Sequence, residues 1–209
     1  MVLGRRNFVQ LLGAAAYAVA TSAVSRVTLA AVEYRNEALG FALSKPSEWF
    51  YLSYEEYSQS GAELHDAEAM GDLRESMGEP VVTIAKFCET PPLATPSISV
   101  FAEAPGWDAT EADLFDLDWS SFADTLQDFT LEEDAVADEL AGLKASRTTY
   151  SYRVSSSAGE SARMQTVLYG AIRNGLWYSF NFTDVLDVPY SAQAQLVAAR
   201  RSIRFLDHV

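Results

Sequence analysis

The sequence predicts a single-domain α+β fold, in which a mostly antiparallel sheet has helices packed on its faces. Several segments alternate apolar and polar residues with the period of a β-strand. An Asn-Gly pair at 174–175 stands between two apolar runs, which is the pattern of a tight hairpin. The order of elements, with strands on both sides of a helical segment, then a meander and a terminal helix, specifies this architecture.

The first half of the predicted domain contains short strands around a polar helical stretch. Alternating apolar residues from Leu39 to Leu43 predict the first strand, which ends at Lys45-Pro46. A helix is expected within 54–78, where Gly78 stops it. Further strands are predicted at 47–53, 80–87 and 97–102.

The clearest helix signal covers residues 109–129. Thr110 is placed to cap its start, and Asp113 follows three residues later, near the positive end of the helix dipole. The apolar face is formed by Leu114, Leu117, Phe122, Leu126 and Phe129. We therefore expect one amphipathic helix that packs on the sheet.

The second half is predicted to be an antiparallel meander that ends in a helix. The Asn174-Gly175 turn joins its last two strands. Its four strands are expected at 135–140, 143–154, 163–173 and 176–183, and the helix at 191–201. No repeat and no long linker divides the chain, so residues 32–209 are expected to form one domain.

Residues 1–31 are expected to be a cleaved signal peptide of the twin-arginine type. Arg5 and Arg6 are adjacent, Phe8 follows after one polar residue, and an Ala- and Gly-rich, mildly apolar run comes next. A permanent membrane anchor is the less favoured alternative, because polar residues and Arg26 interrupt the run. This leader predicts a periplasmic or extracellular protein (lumenal in a photosynthetic cell), without stable membrane insertion after cleavage.

The charge balance excludes nucleic-acid binding. The chain has 29 acidic and 15 basic residues, and its net charge of -14 becomes more negative when the arginines of the leader are removed. A polyanion of this kind repels nucleic acids and anionic lipid headgroups. Proteins with a basic surface remain suitable partners.

Carboxylates are the abundant functional groups, and they raise the alternative of a calcium site. The acids Glu132, Glu133 and Asp134 form one cluster, and Asp116 and Asp118 form an Asp-x-Asp pair. Calcium prefers such oxygen ligands, but these acids lack the spacing of a calcium-binding loop. A solvated acidic face is the favoured interpretation, with weak Ca²⁺ binding as the alternative.

Catalytic and cofactor motifs are missing from the sequence. His65 and His208 are far apart, and Cys88 has no neighbouring histidine to activate it. The pattern of a serine-hydrolase elbow does not occur. We therefore expect a protein that is not an enzyme and that needs no cofactor.

Two tryptophans are candidates for a binding surface. Alternation along 176–183 places Trp177 on one side of its strand and Tyr178, Phe180 and Phe182 on the other, which should be the core side. Trp177 would then line a surface together with Trp49. Of these two alternatives, an ordinary sheet face covered by a helix is favoured.

Three groups of residues resemble the PsbP/Mog-like family. The segment 34–49 has an aromatic residue, Gly40-Phe41 in a strand, then Pro46 and Trp49. A β-branched strand ending near Phe87 is followed by a Pro-rich loop and a strand at 96–100. The C-terminal part combines 142–145, the Asn-Gly hairpin, the aromatic strand 178–183, and a helix ending in 202–205.

This resemblance spans most of residues 32–209, and it implies an α/β/α sandwich. It also implies an exported, non-enzymatic accessory or docking protein, since members of the family are typically of this kind. The expected function is binding of a protein partner through a sheet-and-loop surface with an acidic rim. A small-ligand or Ca²⁺-binding periplasmic module is the alternative.

Overall fold

Two antiparallel sheets form the molecule in a computed structural model that describes residues 33–59, 71–72, 77–87, 93–105 and 109–206. The larger sheet has seven strands in the order β3-β4-β5-β9-β8-β7-β6, and the smaller has three in the order β1-β2-β10. The strands are β1 Glu33–Asn36, β2 Phe41–Ser44, β3 Phe50–Leu52, β4 Val82–Ala85, β5 Ser97–Glu103, β6 Gln127–Leu140, β7 Leu143–Ser155, β8 Ser161–Arg173, β9 Leu176–Val185 and β10 Arg204–Phe205.

The described helices are short and lie on the two faces of the large sheet. They are α1 Tyr54–Gln59, a 3-10 helix Glu111–Phe115, α2 Ser120–Thr125 and α3 Gln193–Arg201. The predicted α+β class with a mostly antiparallel sheet is confirmed. Within the described ranges, no helix is long and apolar enough to cross a membrane.

The main core lies on one face of the large sheet, which we call face A. Tyr178, Phe180 and Phe182 of β9 point into this core, as the alternation predicts. The small sheet and α3 cover it from the other side, where Phe41 contacts the rings of Tyr178 and Phe180 with centroids 6.1 and 5.7 Å apart. Face A is therefore covered partly by strands, and not by helices alone.

The opposite face, face B, carries a second apolar cluster around Tyr150 and Leu168 and, beside it, a set of buried hydroxyl groups. Its buried hydroxyl groups belong to Thr83, Ser99, Ser146, Thr148, Thr166 and Ser179. Leu114 of the 3-10 helix packs here above Gly170, where a Cβ atom would lie 2.8 Å from Ser146 Oγ. Face B therefore accepts the short 3-10 segment at close range because Gly170 has no side chain.

The expected single helix at 109–129 is wrong. The capping contact at its start does form, since Asp113 Oδ2 accepts hydrogen bonds from Thr110 N and Oγ1 at 2.7 and 2.8 Å. However, the chain makes a 3-10 turn, then α2, and enters β6 at Gln127. Phe129 then packs on Tyr150 of β7, with ring centroids 5.8 Å apart. A strand forms here because Phe129 and Leu131 pack against the apolar cluster around Tyr150. A short isolated helix would not make these contacts.

The hairpins of the meander are confirmed. Asn174 and Gly175 have φ of 52° and 74°, as the turn between β8 and β9 requires. Ala141 and Gly142 make the same left-handed turn between β6 and β7, with φ of 51° and 83°. Strand β6 is an edge strand with three register shifts against β7, and such irregularities hinder pairing with other chains.

Candidate functional site

A cleft lies on face A between α3 and the strands β8 and β9. It has a volume of about 150 Å³. Its apolar lining consists of Val167, Phe182, Leu186, Leu196 and Val197. Its polar lining consists of Gln165, Asp184, Ser191, Gln193 and Arg200.

The buried carboxylate of Asp184 fixes the start of α3 at one end of this cleft. Asp184 Oδ1 accepts hydrogen bonds from the backbone N–H groups of Val185 and Ala192, at 2.9 and 2.8 Å. Asp184 Oδ2 accepts one from the hydroxyl of Ser191 at 2.7 Å. These donors compensate the buried charge of Asp184, and the hydrogen bonds from Ser191 and Ala192 hold the two residues that directly precede α3. Asp184 is therefore a positioning residue for the wall of the cleft.

Arg200 lies near the other end of α3 and contacts a buried tyrosine. Its guanidinium lies over the ring of Tyr169, 5.3 Å from the centroid, and donates a hydrogen bond to the Tyr169 hydroxyl. Tyr169 Oη in turn donates to Asp138 Oδ2 at 3.3 Å. Burial raises the pKa of the Tyr169 phenol, so the ring stays neutral and keeps its proton for Asp138.

The acids of β6 form a ladder of ion pairs with arginines of β7 and β8. Arg147 contacts both Glu133 and Asp138, and its Nε lies 2.9 Å from Asp138 Oδ2. The backbone N–H of Glu139 and the Arg147 guanidinium hold the pKa of Asp138 below its usual range. The other rungs are Arg153–Asp128 at 2.9 Å and Arg163–Glu132 at 3.2 Å. Glu132 and Glu133 of the predicted acidic cluster are thus neutralised by arginines of the neighbouring strands.

Other acids of the same part of the chain are not neutralised by a described base. Residues 111–140, which we call the acidic band, contain eleven acids and no basic residue. Five of these acids pair with bases from elsewhere, the fifth through Lys144 and Glu111 at 3.0 Å. Asp116, Asp124, Asp134 and Glu139 are exposed, and within the described ranges none of them makes an ion pair.

The acidic band also contains an exposed aromatic ring. Phe115 ends the 3-10 helix directly before Asp116 and is 43% exposed. The other large apolar side chains with similar exposure, among the described residues, are Phe50 and Tyr54 near β3. The 3-10 helix contacts both β6 and β7, so Phe115 belongs to the same side of the molecule as the edge strand.

The alternative of a calcium site finds no support in the placement of the acids. Asp118 accepts a hydrogen bond from the N–H of Ser120 at 2.9 Å, before the start of α2. In the part of the chain that the structure describes, no three His, Cys, Asp or Glu side chains converge on one point.

Glu103 is a buried titratable residue that the sequence analysis did not single out. It ends β5, on face B, and its strand partner in the register is Trp177. Burial raises the pKa of the Glu103 carboxyl to about 7. The signal was present in the sequence, because the alternation from Ser97 to Phe101 continues to Glu103 and places it on the same side as the buried Ser99.

The two candidate tryptophans are buried and are not brought together as an open surface. Trp49 and Trp177 are each 3% exposed. Trp49 packs in the core of face A. Trp177 packs on face B, where its ring approaches Gly170. The alternative interpretation, a covered sheet face, describes Trp177.

The remaining candidates lie outside the described residues. They are Arg5, Arg6 and Phe8 of the leader, together with His65, Cys88 and His208. The twin-arginine signal, its cleavage near residue 31 and the division into 1–31 and 32–209 therefore stay predictions.

Comparisons with known proteins give the fold. LpqN, which is involved in cell envelope biogenesis of Mycobacterium tuberculosis, matches with a TM-score of 0.51 and 15% identity, over 80% of this chain and 83% of LpqN. Cyanobacterial PsbP (CyanoP) from Synechocystis sp. PCC 6803 matches with a TM-score of 0.53 and 14% identity, over 88% of this chain and 98% of CyanoP. No protein-family model and no curated protein matches the sequence. The resemblance found in the sequence is confirmed at the level of structure, and the chain has a PsbP-like fold.

Proposed function

We propose that this chain is an exported, non-enzymatic accessory protein that docks a protein partner with a basic surface. The observation that carries the proposal is the acidic band, which contains exposed carboxylates without ion pairs among the described residues and, directly before Asp116, the exposed Phe115. Interfaces typically combine an apolar or aromatic anchor with a polar rim. Complementary charge on the partner would accelerate association and select against acidic proteins.

Export is part of the same proposal. The twin arginines at 5–6 and the mildly apolar run behind them support the twin-arginine route. LpqN, which shares the fold, is involved in cell envelope biogenesis, and this supports a location outside the cytoplasm. The working form would then be residues 32–209, in the periplasm or outside the cell.

Site-specific photo-cross-linking tests the docking surface. A photoreactive amino acid is placed at Glu139 in the acidic band and, as the control position, at Glu160 in the turn between β7 and β8. In native cells, we expect a defined cross-linked partner from the first position and none from the second. Cross-links of equal yield from both positions would contradict the proposed surface.

Two variants of equal chemistry then measure the anchor. With the partner purified, Phe115→Ala is expected to weaken binding about tenfold or more, as an aromatic residue at an interface centre does. Phe50→Ala removes an equally exposed ring from β3 and should leave the affinity unchanged. Equal effects of the two changes, or turnover of a substrate by the purified protein, would overturn the proposal.

A second candidate function is a small-ligand module. The cleft beside α3 favours it, because polar and apolar groups converge there on a space of ligand size. Calcium, the other form of this alternative, has no comparable supporting geometry in the described residues.

A further inference from the structure

We propose that the cleft beside α3 binds a small organic carboxylate that carries a compact apolar group, with Arg200 as the residue that recognises the carboxylate. The proposal goes beyond docking and does not depend on it. Three observations support it. Arg200 makes no direct ion pair with a described residue, Asp184 already accepts hydrogen bonds on both oxygens, and the cleft has the size and the apolar lining for a small ligand.

Arg200 is a cation that makes no direct ion pair with a described carboxylate, although the protein is strongly acidic. Arg147, Arg153 and Arg163 on the neighbouring strands all pair with acids. Arg200, in contrast, makes no direct ion pair with any described residue. It contacts the neutral phenol of Tyr169, whose hydroxyl donates in turn to Asp138 Oδ2 at 3.3 Å, so the Asp138 carboxylate, itself paired with Arg147, reaches Arg200 only through that hydroxyl. A guanidinium has five N–H donors in a planar fork, so several remain available for a carboxylate.

Asp184 does not cancel this charge. Both of its oxygens accept hydrogen bonds from the start of α3, and they hold the helix there. Arg200 comes eight residues after Ala192, which is about 12 Å along a helix at 1.5 Å per residue. Because Asp184 is buried, salt screens its charge only weakly, but its oxygens are already occupied by hydrogen-bond donors. The cleft thus has a satisfied acidic end and a cationic end with open donors.

The apolar wall of the cleft determines the size and character of the group that carries the carboxylate. Phe182 and Val167 from the sheet face Leu196 and Val197 from α3 across the cleft. The volume of about 150 Å³ equals that of an engineered protein cavity that binds benzene. A ring or a branched group of about six heavy atoms fits such a space. A carboxylate on this group would then extend toward Arg200.

Benzoate is the probe that tests this proposal, with benzamide as its neutral isostere. For a ligand of nine heavy atoms we expect a Kd in the range of about 0.1–1 mM for benzoate. Benzamide should bind at least about tenfold more weakly, because it cannot form the charge-assisted pair. Amide chemical shifts recorded by NMR during the titration should change in 182–200 and in the facing part of β8.

Arg200→Gln and Arg201→Gln form a matched pair on the same helix. Each removes one positive charge, but Arg201 is exposed and does not line the cleft. Arg200→Gln should weaken benzoate binding about tenfold or more, whereas Arg201→Gln should leave it unchanged. Circular dichroism verifies that each variant folds.

Three results would overturn the proposal. They are equal affinity for benzoate and benzamide, equal effects of the two glutamine variants, and shifts that lie away from the cleft. If Arg200→Gln does not fold, the benzoate–benzamide comparison and the shift map on the unaltered protein decide alone. Absence of binding at about 10 mM benzoate, which is far above the expected Kd, also counts against it.

Discussion

Glu103 is the residue whose ionisation should be visible in the stability of the protein. Burial raises the pKa of its carboxyl to about 7. In the unfolded chain the group loses its proton near the usual range of a glutamate. Between these two pKa values the unfolded state binds fewer protons than the folded state, so stability falls as the pH rises. The penalty is complete above about pH 7.

Replacement of Glu103 by glutamine should therefore stabilise the protein at alkaline pH. Glu103→Gln removes the charge and keeps the shape, and we expect a gain of about 1–2 kcal/mol near pH 8, where partial exposure and solvent screening reduce the penalty. Near pH 5 the gain should be small, since the folded carboxyl is then protonated. Urea unfolding at the two pH values measures this difference.

The exposed Glu79 supplies the control for that experiment. Glu79→Gln changes the same atoms at an exposed position and should leave stability within about 0.5 kcal/mol at both pH values. A gain at Glu103 that does not depend on pH would contradict the assignment, because it would come from packing and not from the buried charge.

Among the secondary-structure elements, α3 is the one whose position depends most on a single side chain. Asp184 accepts hydrogen bonds from Ser191 and Ala192, the two residues directly before this helix, and a third from its neighbour Val185 in β9. Asp184→Asn replaces one acceptor by a donor, which then faces the Ser191 hydroxyl. We expect a loss of about 1–3 kcal/mol, typical of hydrogen bonds to a buried charge, and faster amide exchange along 192–201.

The neighbouring Asp187 makes a matched control for α3. It is exposed and has a positive φ of 59°, a conformation that Asn adopts readily. Asp187→Asn should change neither the free energy of unfolding nor the exchange of α3. Equal protection of 192–201 in both variants would show that apolar packing of Leu196 and Ala199, and not Asp184, holds the helix.

The elements that sequence predicted well are those governed by local contacts. The strands β7, β8 and β9 were expected almost at their observed positions, because Asn174-Gly175 requires a tight turn and the apolar alternation on both sides sets the register. The helix α3 also follows from local spacing. These signals need only a few neighbouring residues.

The parts that sequence could not predict depend on distant contacts. The apolar residues in 126–131 fit both a helical and a strand pattern. The contact of Phe129 with the ring of Tyr150 in β7 favours the strand β6. The cleft is similarly nonlocal, since Arg200 meets Tyr169 across 31 positions of the chain. Trp49 and Trp177 have the composition of a binding surface, but long-range packing buries them on opposite faces.

At the scale of the whole molecule, charge is distributed unevenly. Bases of β7 and β8 neutralise the acids that face them across the sheet, whereas the outer acids of the acidic band remain open to solvent. The ladder holds a long, irregular edge strand in place, and the outer acids leave a field that a basic partner can reduce. One segment thus contributes both to the sheet and to the proposed interface.

This distribution predicts that salt stabilises the isolated protein. Exposed ion pairs contribute only about 0–1 kcal/mol each and lose part of this in salt, but the net charge of -14 opposes folding through long-range repulsion. The Debye length falls from about 30 Å at 0.01 M to about 3 Å at 1 M salt. We expect a Tm that rises by about 2–5 °C over this range, which corresponds to about 1 kcal/mol for a chain of this length.

Neutralisation of the acidic band should reduce that dependence. The variant with Asp116→Asn, Asp124→Asn and Glu139→Gln is expected to have a higher Tm at low salt and a smaller rise with NaCl. Asp72→Asn, Glu79→Gln and Glu160→Gln remove three charges at exposed positions outside the band and should reduce the rise less, since those acids are more widely spaced along the chain. A Tm that falls with salt would mean that the ion-pair ladder of β6 outweighs the repulsion. The free acids of the acidic band would then cost the isolated protein little stability, and a basic partner would gain little by neutralising them.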